Sequence, residues 1–193
     1  MGLRILIVLL CIFALIIGCS NENSSGPNPE PEPFVDRVVV ESDSVQAQSK
    51  LSLDVVVENK TPLTGIVIPL GYSGQNFSID SVSIVDSRFT ASELSGLEIY
   101  PDENRIVFWY YPQGGEVIDS GSGIAFRIYL WVWGNAPTQD IVIDSATMKF
   151  STKLGYCDLQ YNYFVPDFKR GVVHVQSITE TAYREEENTL LAR

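Results

Sequence analysis

Leu51, Leu53, Val55 and Val57 are interleaved with Ser52, Asp54, Val56 and Glu58, a period of two that turns one face of a strand to a core and the other to water. Ile66, Ile68, Leu70 and Tyr72 alternate in the same way with Val67, Pro69, Gly71 and Ser73. Shorter runs predict further strands over Val38–Glu41, Ile79–Val85, Leu97–Tyr100, Arg105–Tyr111, Ile124–Trp133, Ile141–Ile143, Thr147–Phe150, Leu159–Phe164 and Val172–Gln176. The segments between them are rich in turn formers, as in Gln113-Gly114-Gly115 and Gly121-Ser122-Gly123, and no sustained helical period occurs before residue 180. The pattern predicts an all-β domain over residues 34–178. Its expected form is an antiparallel two-sheet sandwich of jelly-roll or immunoglobulin-like type, with about nine strands and Greek-key connections.

The two ends of the chain have a different texture. A single charge, Arg4, precedes an apolar run from Ile5 to Ile17, the layout of a secretory signal. The run closes in Ile16-Ile17-Gly18-Cys19, which resembles a bacterial lipobox. That resemblance implies removal of residues 1–18 and acylation of Cys19, with palmitate-type chains anchoring the new N-terminus in a membrane. A spanning helix needs about 20 apolar residues, whereas polar Ser20-Asn21-Glu22-Asn23 follows Cys19 at once. Residues 19–33, ending in Pro29-Glu30-Pro31-Glu32-Pro33, read as a tether with a reach of about 40 Å when extended. Ser20 stands where some sorting systems carry a retention aspartate, so the address expected is the outer membrane or cell surface. Residues 179–193 form a polar tail with no assigned role.

Charge and cysteine content narrow the chemistry. The 193 residues carry 13 Lys+Arg against 24 Asp+Glu, a formal charge of −11, and loss of Arg4 with the signal makes it −12. Such a surface repels nucleic acid and anionic headgroups. Of the three cysteines, Cys11 leaves with the signal and Cys19 takes lipid, which leaves Cys157 alone as a small buried hydrophobe, so no disulfide is expected. His174 is the only histidine, which excludes a conventional zinc cluster and fits a satisfied, half-buried strand residue. No cofactor is implied. Ile-Asp-Ser recurs at Ile79, Ile118 and Ile143 with irregular spacing; strand exits, where Asp and Ser bond local backbone, explain it better than calcium ligation.

The segments Ser49–Asn59 and Pro62–Tyr72, followed by the Gly121–Leu130 strand that opens on Gly-x-Gly, resemble the cohesin-like family over most of residues 36–176. The resemblance implies a sandwich related to some carbohydrate-binding modules. It also implies a non-catalytic receptor for a dockerin-like protein, with no binding residue transferable by motif.

If Ile124, Phe126, Ile128, Leu130 and Val132 face the core, then Arg127, Tyr129, Trp131 and Trp133 face out. By the same parity Trp109 and Tyr111 face out, and the cohesin-like topology implies that both strands share a sheet, with Val67, Pro69 and Gly71 between them. The six residues Trp109, Tyr111, Arg127, Tyr129, Trp131 and Trp133 form the candidate binding face, suited to stacking on sugar rings or on a protein partner. The same rings, covered by loops, would instead be a satellite core. The sequence reading is a lipid-anchored binding module at the cell envelope for a polysaccharide or a surface protein. A small jelly-roll glycosidase, needing two carboxylates about 5 to 9.5 Å apart, and a purely structural envelope module are the alternatives.

Overall fold

Both long alternating runs become strands, and they lie in different sheets. The computed structural model describes residues 35–89, 94–147 and 153–178; the signal, the lipobox, the tether and the tail lie outside these. β3 (Ser49–Asn59) turns Leu53, Val55 and Val57 inward against Ile66, Ile68 and Leu70 of β4 (Leu63–Ser73), all at most 1% exposed. β1 (Arg37–Val40), β5 (Phe77–Ser83), β8 (Gly121–Val132) and β12 (Asp167–Lys169) join β3 in sheet A, in the order β12-β1-β3-β8-β5.

Sheet B is built around β4. On one side lie β7 (Arg105–Tyr110) and then β6 (Ser95–Tyr100). The other side is shared: β10 (Gly155–Asp158) and β11 (Tyr163–Phe164) flank its first half, and β9 (Gln139–Ser145), β13 (Gly171–Gln176) and β2 (Asp43–Gln46) flank its second. Pro69 sits between the two ladders, where its missing N–H takes no hydrogen bond from the sheet while its carbonyl accepts from Ala146 at 3.0 Å.

Several expectations change. The sheets are mixed, since β1 pairs with β12 and β2 with β13 in parallel; the first extended segment passes from sheet A to sheet B between Val40 and Asp43, so one run of sequence supplies two strands. Thirteen strands are described rather than about nine. Leu159–Phe164 is mostly a hairpin turn, because Asp158 accepts the N–H groups of Gln160 and Asn162 at 2.8 Å each and ends β10. Thr147 lies outside any strand, and residues 148–150 are not described. Ile124 faces outward: Ala125 is an extra residue in β8, so Val55 pairs with Phe126 but Val56 with Ile124, and the parity reverses at the bulge. Of the Ile-Asp-Ser sites, Asp144 caps a strand exit through the Ser145 N–H at 2.7 Å, whereas Asp80 lies at a bulge inside β5.

Tyr156 of β10 fastens one sheet to the other. Its buried ring carries a hydroxyl that donates to the Arg37 carbonyl of sheet A at 2.9 Å, with the Glu58 carbonyl at 3.2 Å. Burial pushes this phenol up, so it stays a donor at any working pH. Tyr156→Phe keeps the packing and deletes the donor; urea denaturation is expected to register a loss of about 1 kcal/mol.

Candidate functional site

The six candidate residues do not form one surface. β8 is hydrogen-bonded between β3 and β5 in sheet A, while β7 pairs with β4 and β6 in sheet B. Arg127, Tyr129 and Trp131 therefore lie on the outer face of sheet A, and Trp109 and Tyr111 on the outer face of sheet B. Trp133 follows the end of β8, 45% exposed, in a turn where its N–H donates to the Asn76 carbonyl at 2.9 Å.

On sheet A the aromatics are laced into a charged surface. Arg127 donates to both Asp54 oxygens, Nε at 2.5 Å and Nη2 at 3.1 Å. That fork and a hydrogen bond with Tyr129 raise the guanidinium pKa further. Lys50 of β3 passes over the Trp131 ring of β8, 5.8 Å from its centroid, to reach Asp80 of β5 at 3.3 Å. An open groove of about 400 Å³ runs beside them, lined by Lys50, Ser52, Asp80, Ser81 and Tyr129.

Sheet B is different, because its aromatics lie flat on backbone. A Cβ placed on Gly96 of β6 would fall inside the Trp109 ring, one on Gly65 of β4 inside Tyr111, and one on Gly155 of β10 inside Tyr163. Three rings thus occupy the space that side chains on neighbouring strands would fill. Beside them lie Val67 and Pro69 of β4 and Val107 of β7, and five adjoining strands about 4.8 Å apart give a flat strip roughly 19 Å wide. Burial pushes the phenols of Tyr111 and Tyr163 up, as does the closeness of Cys157 to the first and of Tyr111 to the second, so both rings are neutral. Carboxylates stand at the rim of the strip, Glu98 opposite Val107 and Asp144 opposite Gly71, with the guanidinium of Arg105 between them, opposite Gly71 on the other side.

Sequence reading missed Tyr163 and the three glycines. A glycine inside a strand signals close approach of another group, and Gly65 and Gly96 carried that signal. Cys157 is half-buried on this same outer face, paired across the ladder with Gly65 and Tyr163, rather than in the core. His174 is exposed, not half-buried, with Nδ1 2.6 Å from Asp140 Oδ1.

Among the described residues no group of three His, Cys, Asp or Glu side chains is placed to hold a metal ion. Two carboxyls whose pKa moves, Glu58 and Asp158, both move down, the wrong direction for a general acid.

The architecture defines a class, the cohesin-like β-sandwich. Its counterparts include the third ScaC cohesin from Acetivibrio cellulolyticus, solved in complex with the ScaB dockerin: TM-score 0.61, 14% identity, 73% of this chain and 99% of that one covered. A type I cohesin–dockerin complex from Clostridium thermocellum superposes with TM-score 0.59 at 16% identity, over 72% of this chain and 98% of that chain. A non-cellulosomal cohesin from the hyperthermophilic archaeon Archaeoglobus fulgidus gives 0.55 at 16% identity, over 77% and 96%. No family model and no curated protein sequence matches the chain.

Proposed function

We propose that this protein is a non-catalytic binding module, anchored in the cell envelope by lipid on Cys19, that receives a dockerin-like protein on the outer face of sheet B. The observation that carries the reading is the set of rings laid over Gly96, Gly65 and Gly155. Flat, neutral and apolar at the centre with carboxylates at the rim, the strip has the make-up of an interface core inside a polar margin. Aromatic anchors of this kind concentrate binding energy. The acidic rim favours a partner with Lys or Arg around an apolar centre, so association is expected to slow as salt rises.

Lipid labelling, partner binding and association kinetics test the proposal. Radiolabelled palmitate should enter the full chain and be lost in Cys19→Ala. The chain from Ser20 onward should bind members of a panel of purified dockerin modules and give no signal on a glycan array. Glycan binding without dockerin binding would move the function to the groove beside Tyr129 on sheet A. Between 50 and 300 mM NaCl, the association rate with a bound dockerin is expected to fall severalfold while dissociation changes less; a salt-independent rate would remove the acidic rim from the account.

A further inference from the structure

Exposed apolar side chains are distributed unevenly between the two ends of the sandwich. The chain enters at Val35, whose N–H donates to Glu58, and strand pairing locates what shares that end. Asp36 accepts from Asp167, just past Val165. Asn59 lies opposite Gly121, and Leu63 opposite both Ile118, next to Val117, and Asp158, which opens the Leu159–Asn162 turn. Leu94 accepts from Tyr111 at the same end. Val35, Leu94, Val117, Leu159, Tyr161 and Val165 are 40 to 80% exposed. At the opposite end the large exposed hydrophobics among the described residues are Tyr100, Trp133 and Ile178, and each stands on a different element or connection.

The turn between β10 and β11 is built to hold its apolar residues out. Asp158 accepts from the Gln160 and Asn162 N–H groups and from the Asn162 amide at 3.0 Å. These bonds, the Asn162 amide foremost, hold its pKa below the usual aspartate value. Tyr161, 80% exposed, sits at φ 62°. Left-handed backbone suits Gly or Asn and disfavours a bulky side chain, so a merely structural turn would not favour tyrosine here.

We propose that this end of the domain rests on the membrane, with Leu159 and Tyr161 of the hairpin seated in the headgroup region of a zwitterionic lipid surface. The inference rests on the lipid anchor assigned above. What selects lipid as the occupant is the course of the chain: the tether read over residues 19–33 precedes Val35, the first described residue, which lies at the same end of the sandwich as the hairpin. A tether reaching about 40 Å holds the hairpin at an effective concentration in the millimolar range, so contacts too weak to bind from solution become populated. Tyrosine suits this depth because its ring is apolar and its hydroxyl stays wet. The net charge of −12 disfavours anionic lipid. Standing in this way, the domain points its sheet faces sideways, which leaves the sheet B strip open to a partner.

The test uses the chain from Ser20 with an N-terminal histidine tag, held on phosphatidylcholine vesicles that contain a nickel-chelating lipid. In a Cys157→Ser background an NBD label is placed at Gln160→Cys, or at Asp102→Cys on the opposite end. NBD emission at 160 is expected to rise at least twofold and to be quenched by doxyl-labelled lipid. Emission at 102 should stay unchanged, and Leu159→Ser with Tyr161→Ser should abolish the rise. Tyr161→Trp read with brominated lipid is the second probe if the label disturbs the turn. The proposal is overturned by no rise at either probe, by equal rises at both ends, or by a rise that survives the double serine variant. It is also overturned if the rise appears without vesicles as protein concentration increases, which would mark a second copy as the occupant. Because the tag supplies the anchor, a failure of Cys19 to take lipid in cells would leave this outcome intact.

Discussion

Arg88→Ala is expected to destabilise the domain by about 3 kcal/mol and to lower Tm by roughly 10 °C, measured by calorimetry and urea denaturation. The guanidinium gathers several carbonyls where the β3–β4 turn meets the start of β8. Nη1 donates to Asn59 Oδ1 at 2.9 Å, to Gly121 O at 2.8 Å and to Val57 O at 3.3 Å, and Nη2 donates to Asp119 O at 2.6 Å. Asn59 is fully buried and uses its amide on the Thr61 and Asp119 carbonyls, so its oxygen depends on Arg88. A hydrogen bond from a charged donor contributes about 1.5 to 3 kcal/mol; these bonds share one partly exposed guanidinium whose acceptors water can reach in the variant, so the net loss is set near about 3 kcal/mol rather than at their sum. Burial lowers the Arg88 pKa, against the opposing influence of Tyr156 and Asp119, but arginine remains charged throughout the working range. Arg88→Lys keeps the charge and loses the planar fork, so most of the loss should persist. A change below 1 kcal/mol for the alanine variant would mean that water replaces the guanidinium at this junction.

The second large effect concerns binding. Trp109→Ala with Tyr111→Ala is expected to weaken the affinity for a bound dockerin at least 100-fold, about 2.7 kcal/mol, read by calorimetric titration. Tyr129→Ala with Trp131→Ala should change it less than threefold. Both double variants lose some packing, so circular dichroism melts must first establish that each is folded at the assay temperature. The contrast has a structural origin. Trp131 already has Lys50 above it and Arg127 is committed to Asp54, whereas Trp109 and Tyr111 rest on glycine backbone with their outer faces turned away from the sheet. The reverse result would move the binding surface to sheet A.

Strand parity was legible in the alternation because a residue's side of a sheet depends on its neighbours in sequence. Arg127, Tyr129 and Trp131 face outward as their spacing predicts. Ile124 faces outward against its spacing, since the bulge at Ala125 depends on how β3 and β8 pair. Joining Trp109 and Trp131 into one face required knowing which strands are hydrogen-bonded, and the alternation of one strand carries no record of its partner.

The sequence by itself determined that the domain is a β-sandwich, which face of its long strands turns to the core apart from the bulge at Ala125, and that residues 1–33 and 179–193 differ in composition from the rest. Period-two burial, turn chemistry and residue counts are local or additive properties, so a linear reading reaches them. Only the tertiary structure decided which aromatics share a surface, that Gly96, Gly65 and Gly155 lie beneath rings from neighbouring strands, and that the exposed apolar residues gather where the chain enters. Each of these depends on pairing between segments far apart in the chain, a register set by the whole core rather than by any one run of residues.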